Sequence, residues 1–121
     1  MKMNGIFIRK ITFSNLFCND VSVDSLDWSL RGHIKFDADE IVVSIELMGD
    51  TETPSIQIDI LVEGVFTKNV DQEDVDSSEL EEIVIPKIIP VLQSCIDGLF
   101  VQTKLPCLNG VNVSSLKYSF I

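Results

Sequence analysis

Two hydrophobic periods that no single secondary structure can satisfy divide this sequence. From Phe7 to about Phe66 apolar side chains recur at every second residue, the repeat of a strand with one covered face. Beyond Pro86 the isoleucines and leucines fall at helical spacing instead. A chain that alternates first and turns helical later builds a sheet and lays a helix on it, an α+β arrangement.

The alternation is clearest in Asn19–Asp24, His33–Asp37 and Gln57–Asp59; Ile41–Leu47 alternates with one apolar intruder. It predicts four strands over about 7–24, 32–37, 40–48 and 55–67. Turn-forming residues sit between them: Asp24-Ser25, Arg31-Gly32, Asp37 to Asp39, and Gly49 to Pro54. Short connections between successive strands imply antiparallel pairing. In the last strand Ile56, Ile58, Ile60 and Val62 share one face, while Gln57, Asp59 and Glu63 share the other, with Leu61 as the exception. Val21 and Val23 likewise oppose Asp20, Ser22 and Asp24. The expected sheet has an apolar face for the helix and a wet, acidic face for solvent or a basic partner.

The acidic stretch Asp71–Glu82 reads as a solvated loop leading into a first helical turn, with Ser77 or Ser78 as the cap and Glu79, Glu81 and Glu82 at the positive end of the dipole. Pro86 and Pro90 break or kink the helix there, and its main body is expected over about 87–101. Ile85, Ile88, Ile89, Leu92, Cys95, Ile96 and Leu99 make one apolar face, which Val91, Phe100 and Val101 widen. A helix resting on one sheet needs only about a third of its circumference apolar. The excess implies a second cover, most simply another copy of the chain.

A chain of 121 residues is read as one domain, with the sheet over 1–68 and the helical half over 69–121. The net charge of −10, from 19 acids against 9 bases, argues against nucleic acid and against an anionic membrane surface. The most apolar run, Ile83–Leu92, carries Lys87 and two prolines and falls short of the roughly 20 residues of a membrane span. No secretory signal is expected from Met1–Lys10. Three scattered cysteines, Cys18, Cys95 and Cys107, fit buried free thiols in a reducing compartment, and the cytoplasm is the expected location.

Catalytic patterns are sparse. His33 is the only histidine, no Cys-His cluster offers zinc ligands, and no cofactor is implied. Cys107 meeting His33 in space is the one arrangement that would make a nucleophile. The six glycines are dispersed, without a phosphate-binding loop, and there is no Gly-x-Ser-x-Gly elbow. The expected class is a binding protein rather than an enzyme.

Several segments, in order, resemble the SecB chaperone family. Phe17-Cys18-Asn19-Asp20-Val21-Ser22-Val23-Asp24 is similar to its first-strand motif, and Asp27-Trp28 to its crossover-loop tryptophan. Glu63-Gly64-Val65-Phe66 resembles the end of its fourth strand, and Ile85-Pro86-Lys87-Ile88-Ile89-Pro90 the proline-flanked start of its main helix. Leu105-Pro106-Cys107-Leu108-Asn109 and Val111-Asn112-Val113 resemble its Phe-Pro-x-Leu-Asn and Val-Asn-Phe.

The resemblance implies a four-stranded antiparallel sheet, one main helix and a short C-terminal helical stub, assembled as a homotetramer (a dimer of dimers) that holds unfolded polypeptides. Ile58, Ile60 and Val62 would then support the assembly, with Ile88, Leu92, Ile96 and Leu99 of the helix sandwiched between sheets; ordinary core packing is the competing reading. Leu26, Trp28 and Leu30, with Leu105 and Leu108, would line the client groove, where core burial competes equally. Asp20, Asp24 and Asp59 match acidic positions that dock the translocase ATPase SecA, with ordinary solvated strand acids as the favoured competing reading. The sequence also departs from the family. Gln102-Thr103 replaces its Arg-Gly, the link between strands two and three is short, and the family's second helix and metal-bound tail have little or no counterpart after Tyr118. These departures leave three readings: an export chaperone working with SecA, a chaperone dedicated to one client such as the antitoxin of a toxin–antitoxin pair, and a small enzyme using Cys107 or His33.

Overall fold

In the computed structural model, which describes residues 2–15, 26–51, 56–69 and 72–120, the alternating half forms four long strands: β1 (Met3–Asn15), β2 (Asp27–Phe36), β3 (Glu40–Asp50) and β4 (Ile56–Thr67). A fifth, β5 (Tyr118–Phe120), joins from the far end of the described chain. The sheet order is β1-β4-β3-β2-β5, antiparallel except for the parallel β2–β5 pair.

Parity holds through the centre of the sheet. Ile41, Val43, Ile45 and Leu47 of β3 lie opposite Phe66, Gly64, Val62 and Ile60 of β4, and this face is buried. In β1 the parity slips, since Ile6 and Ile8 are followed by Ile11 and Phe13. The register explains it. An irregularity at Arg9 lets Ile8 pair with Val62 and Ile11 with Ile60, so both isoleucines keep the core face. β2 starts earlier than the sequence predicts, because Trp28 and Leu30 continue its alternation with Asp27, Ser29 and Arg31. Trp28 therefore stands on a strand rather than in a crossover loop. Residues 16–25, with Cys18, Asp20 and Asp24, lie outside the described residues.

The helical half departs further from expectation. Helical structure runs unbroken over Ser77–Thr103 as a short turn α1 (Ser77–Glu79), a π-turn (Leu80–Val84) and the helix α2 (Ile85–Thr103). Asp76 is the cap, its Oδ1 accepting from the Glu79 N–H at 2.7 Å, in place of Ser77 or Ser78. Pro86, directly after the π-turn, and Pro90 are both carried inside this continuous helical run rather than breaking it. Lys104 ends α2 in the left-handed conformation (φ 59°), its N–H bonded to the Phe100 carbonyl at 2.8 Å.

Ile88, Leu92 and Ile96 of α2 are buried in the same cluster as Ile58, Ile60, Val62 and Phe66. By length and composition Ser77–Thr103 would suffice to cross a membrane; here Val84, Ile88, Ile89, Leu92 and Ile96 are buried against the rest of the chain. The chain then turns back through two 3-10 turns, Pro106–Leu108 and Val113–Ser115, and buries Cys107, Leu108 and Val113 in the same core. The Gln93 carboxamide fastens this return. Its Nε2 donates to the Val111 carbonyl and its Oε1 accepts from the Val113 N–H, both at 2.8 Å. The expected helical stub is thus a single 3-10 turn, Asn112-capped, that leads into β5. A parallel edge partner for β2 wins over helix there because Tyr118 and Phe120 alternate with Ser119 and settle on the core face.

Candidate functional site

Leu26, Trp28, Leu30, Leu105 and Leu108, the residues proposed for a groove, all join one apolar cluster, but unequally. Leu26, Leu30 and Leu108 are buried in the core, which removes them as lining of an open surface. Trp28 and Leu105 are half-buried and keep apolar surface available. Trp28 pairs with Gly49 across β2–β3, and its indole fills the space over that glycine: a Cβ on Gly49 would lie 2.7 Å from Cζ3. Tyr118 and Phe120 add two half-buried rings to the same side, edge to face at 5.7 Å. Sequence reasoning missed both rings; the aromatic-x-aromatic spacing was the available signal.

The opposite face is not the acidic surface expected. Lys10 Nζ sits 2.6 Å from Asp59 Oδ2 and 3.3 Å from Glu46 Oε2, and Arg9 Nε donates to Glu63 Oε2 at 2.7 Å. Arg9 also covers the Phe7 ring, 4.7 Å from its centroid. The hydrogen bond to Asp59, above all, holds the Lys10 ammonium above its usual pKa. Asp59, expected among free docking acids, is therefore already paired with a cation. A shallow depression of about 180 Å³ lies beside this network, lined by Arg31, Gly32, His33, Ser44, Glu46 and Leu61.

Ile58, Ile60, Val62, Ile88, Leu92, Ile96 and Leu99 were expected at an oligomer interface; the first six are shielded by their own chain and Leu99 is half-buried. The apolar surface that does remain lies elsewhere: Phe7, Ile8 and Ile11 on β1 are 44%, 52% and 50% exposed, and Val101 on α2 is 62% exposed. The wide helix face is covered in part by the returning segment 105–113 of the same chain, which the sequence patterns did not anticipate.

No nucleophile forms between Cys107 and His33. His33 pairs with Ser44 and is exposed on the outer face, while Cys107 is buried in the core on the other side of the sheet. Burial raises the pKa of both Cys95 and Cys107, which keeps them as thiols at neutral pH. Among the described residues no three His, Cys, Asp or Glu side chains converge to hold a metal ion.

A similar backbone fold occurs among the solved structures. No family model and no curated protein sequence matches the chain. A search of solved structures finds the Mycobacterium tuberculosis SecB-like chaperone Rv1957, determined in complex with a ChAD peptide from the HigA1 antitoxin. It superposes with a TM-score of 0.65 over 87% of this chain and 81% of that one, at 11% identity. The fold is SecB-like. At 11% identity the likeness is one of fold, a mostly antiparallel sheet with one main helix.

Proposed function

We propose that this chain is a SecB-type chaperone, a single domain without enzymatic activity that holds non-native polypeptides in the cytoplasm. The observation that carries the reading is the SecB-like fold, extending over 87% of the chain. It is supported by the half-buried Trp28, Tyr118 and Phe120 on the core face of the β2 edge, whose apolar surface can take up extended apolar segments without chemistry. The working form is a homotetramer built as a dimer of dimers. The uncovered Ile8, Ile11 and Val101 favour such stacking, and they take the place of the buried isoleucines first expected there. Several weak sites around one oligomer give useful affinity for a long client.

Two kinds of client remain in view. A dedicated client of the antitoxin type is favoured because the structural neighbour was determined with an antitoxin peptide. Delivery of exported proteins to SecA is the second reading; it needs Asp59 released from Lys10, or the acids at 20 and 24 acting without it. The test is an aggregation-suppression assay with a chemically unfolded client, alongside mass measurement in solution. Suppression at near-stoichiometric tetramer is expected. A monomer that leaves aggregation unchanged would overturn the proposal.

A further inference from the structure

The two edges of β2 are treated very differently. Along one, β3 pairs with all ten residues from Asp27 to Phe36; along the other, β5 pairs only with Leu30, Arg31 and Gly32. We propose that β5 is a built-in guest: it holds the outer edge of β2 closed, and an extended polypeptide with aromatic side chains two residues apart displaces it and adds to β2 in the same parallel sense. The inference rests on the holding-chaperone reading and specifies what that surface recognises.

The seat is shaped for such a segment. Register places Tyr118 opposite Leu30 and Phe120 opposite Gly32, so both rings stand on the core face with Trp28, and Ser119 points the other way beside Arg31. Gly32 is the socket. A Cβ there would lie 2.3 Å from Phe120 Cε1, so the ring occupies space that any other residue would fill. The pattern is aromatic, small polar, aromatic, written by this chain onto its own strand.

The occupant is held lightly at a firm tether. Val113 is buried and locked through Gln93, which keeps β5 near its seat at high effective concentration. β5 itself contributes no buried residue, only two half-buried rings and one exposed serine. Among the described residues, Asp27–Ser29 and Ile34–Phe36 have no partner strand on that edge. A longer guest pairs with these as well and gains ladder hydrogen bonds that a three-residue strand cannot offer. Short or weakly apolar segments lose to the tethered strand, so β5 sets a length and aromaticity threshold and blunts an exposed edge while no client is bound.

Fluorescence anisotropy with a labelled peptide of residues 112–121 tests this on the full chain, against Phe120→Ala and against Phe120→Ala combined with Gly32→Val. Emptying the seat should tighten peptide binding about tenfold over the unaltered chain. Filling the socket with valine should remove the gain, and a peptide with alanine at both aromatic positions should not bind. Equal affinity for the unaltered chain and Phe120→Ala, or indifference to Gly32→Val, overturns the inference. Should Phe120→Ala fail to fold, hydrogen exchange on the unaltered chain decides: the amides of Tyr118–Phe120 should open about a hundredfold more readily than those of Val43 and Val62. Exchange as slow as at those core positions overturns it. If aggregation suppression holds while the peptide tests fail, the chaperone reading stands and the guest role of β5 falls. If suppression fails while the peptide binds as described, the seat is real and the chaperone reading falls.

Discussion

The Trp28 indole lies over Gly49 on the neighbouring strand, so close that one added methyl would sit 2.7 Å from its Cζ3. Gly49→Ala therefore displaces the ring. The single tryptophan makes this visible: the emission maximum should shift to the red, toward that of a solvated indole. Trp28→Ala should weaken client holding and cost about 1–2 kcal/mol in denaturant melts, below the 3–5 kcal/mol typical of a fully buried ring. Unchanged holding by Trp28→Ala would remove this edge from the client surface.

Core and assembly separate by burial. Ile58 is sealed inside the chain, so Ile58→Asp places an uncompensated charge in the core and should unfold the protomer, at a cost of about 4 kcal/mol or more. Ile11 on β1 is half exposed, so Ile11→Asp should leave circular dichroism unchanged and lower the mass in solution. A folded, dissociated Ile58→Asp would reverse these assignments.

Gln93 acts as a piece of backbone for segment 111–113. Gln93→Leu strands the Val111 carbonyl and the Val113 N–H, and should cost about 2–3 kcal/mol. Gln93→Glu keeps the acceptor for Val113 and loses the donors to Val111 and to Asp97, which then faces a second carboxylate. Its thermal midpoint should recover as pH falls and the introduced carboxylate protonates, while that of Gln93→Leu should not.

Alkaline pH should weaken the fold. Lys10 is raised above 10.5, chiefly by its hydrogen bond to Asp59, so its contribution is whole below that value and is lost as pH rises through the folded pKa. Cys95 and Cys107 are raised above 9.0 by burial, so the unfolded chain ionises first and gains on the folded one above that pH. Urea melts from pH 7 to 11 should show falling stability. Lys10→Met and Cys107→Ala should each flatten the profile, and a profile that rises instead would contradict both assignments.

Strand parity was legible in residues 40–66 because one face is buried and the side-chain repeat of two leaves a single arrangement that covers the isoleucines. The slip in β1 was not, since a bulge at Arg9 absorbs it only through pairing with β4. Local rules also misplaced the helix start. Asp76 and Ser77 have similar capping propensity, and the body of the helix carried Pro90 because tertiary packing of Ile88, Leu92 and Ile96 outweighs one lost hydrogen bond.

By itself, the sequence determined the α+β division, the apolar face of the central strands and the helix that answers it, because both periods are properties of the backbone and need no partner. Tertiary structure decided everything that depends on which surfaces meet. It folded segment 105–120 back over the helix and onto β2, paired Lys10 with Asp59, and set Cys107 and His33 on opposite sides of the sheet. Contacts between residues far apart in the chain are fixed by competition for one core, and no local pattern encodes the winner.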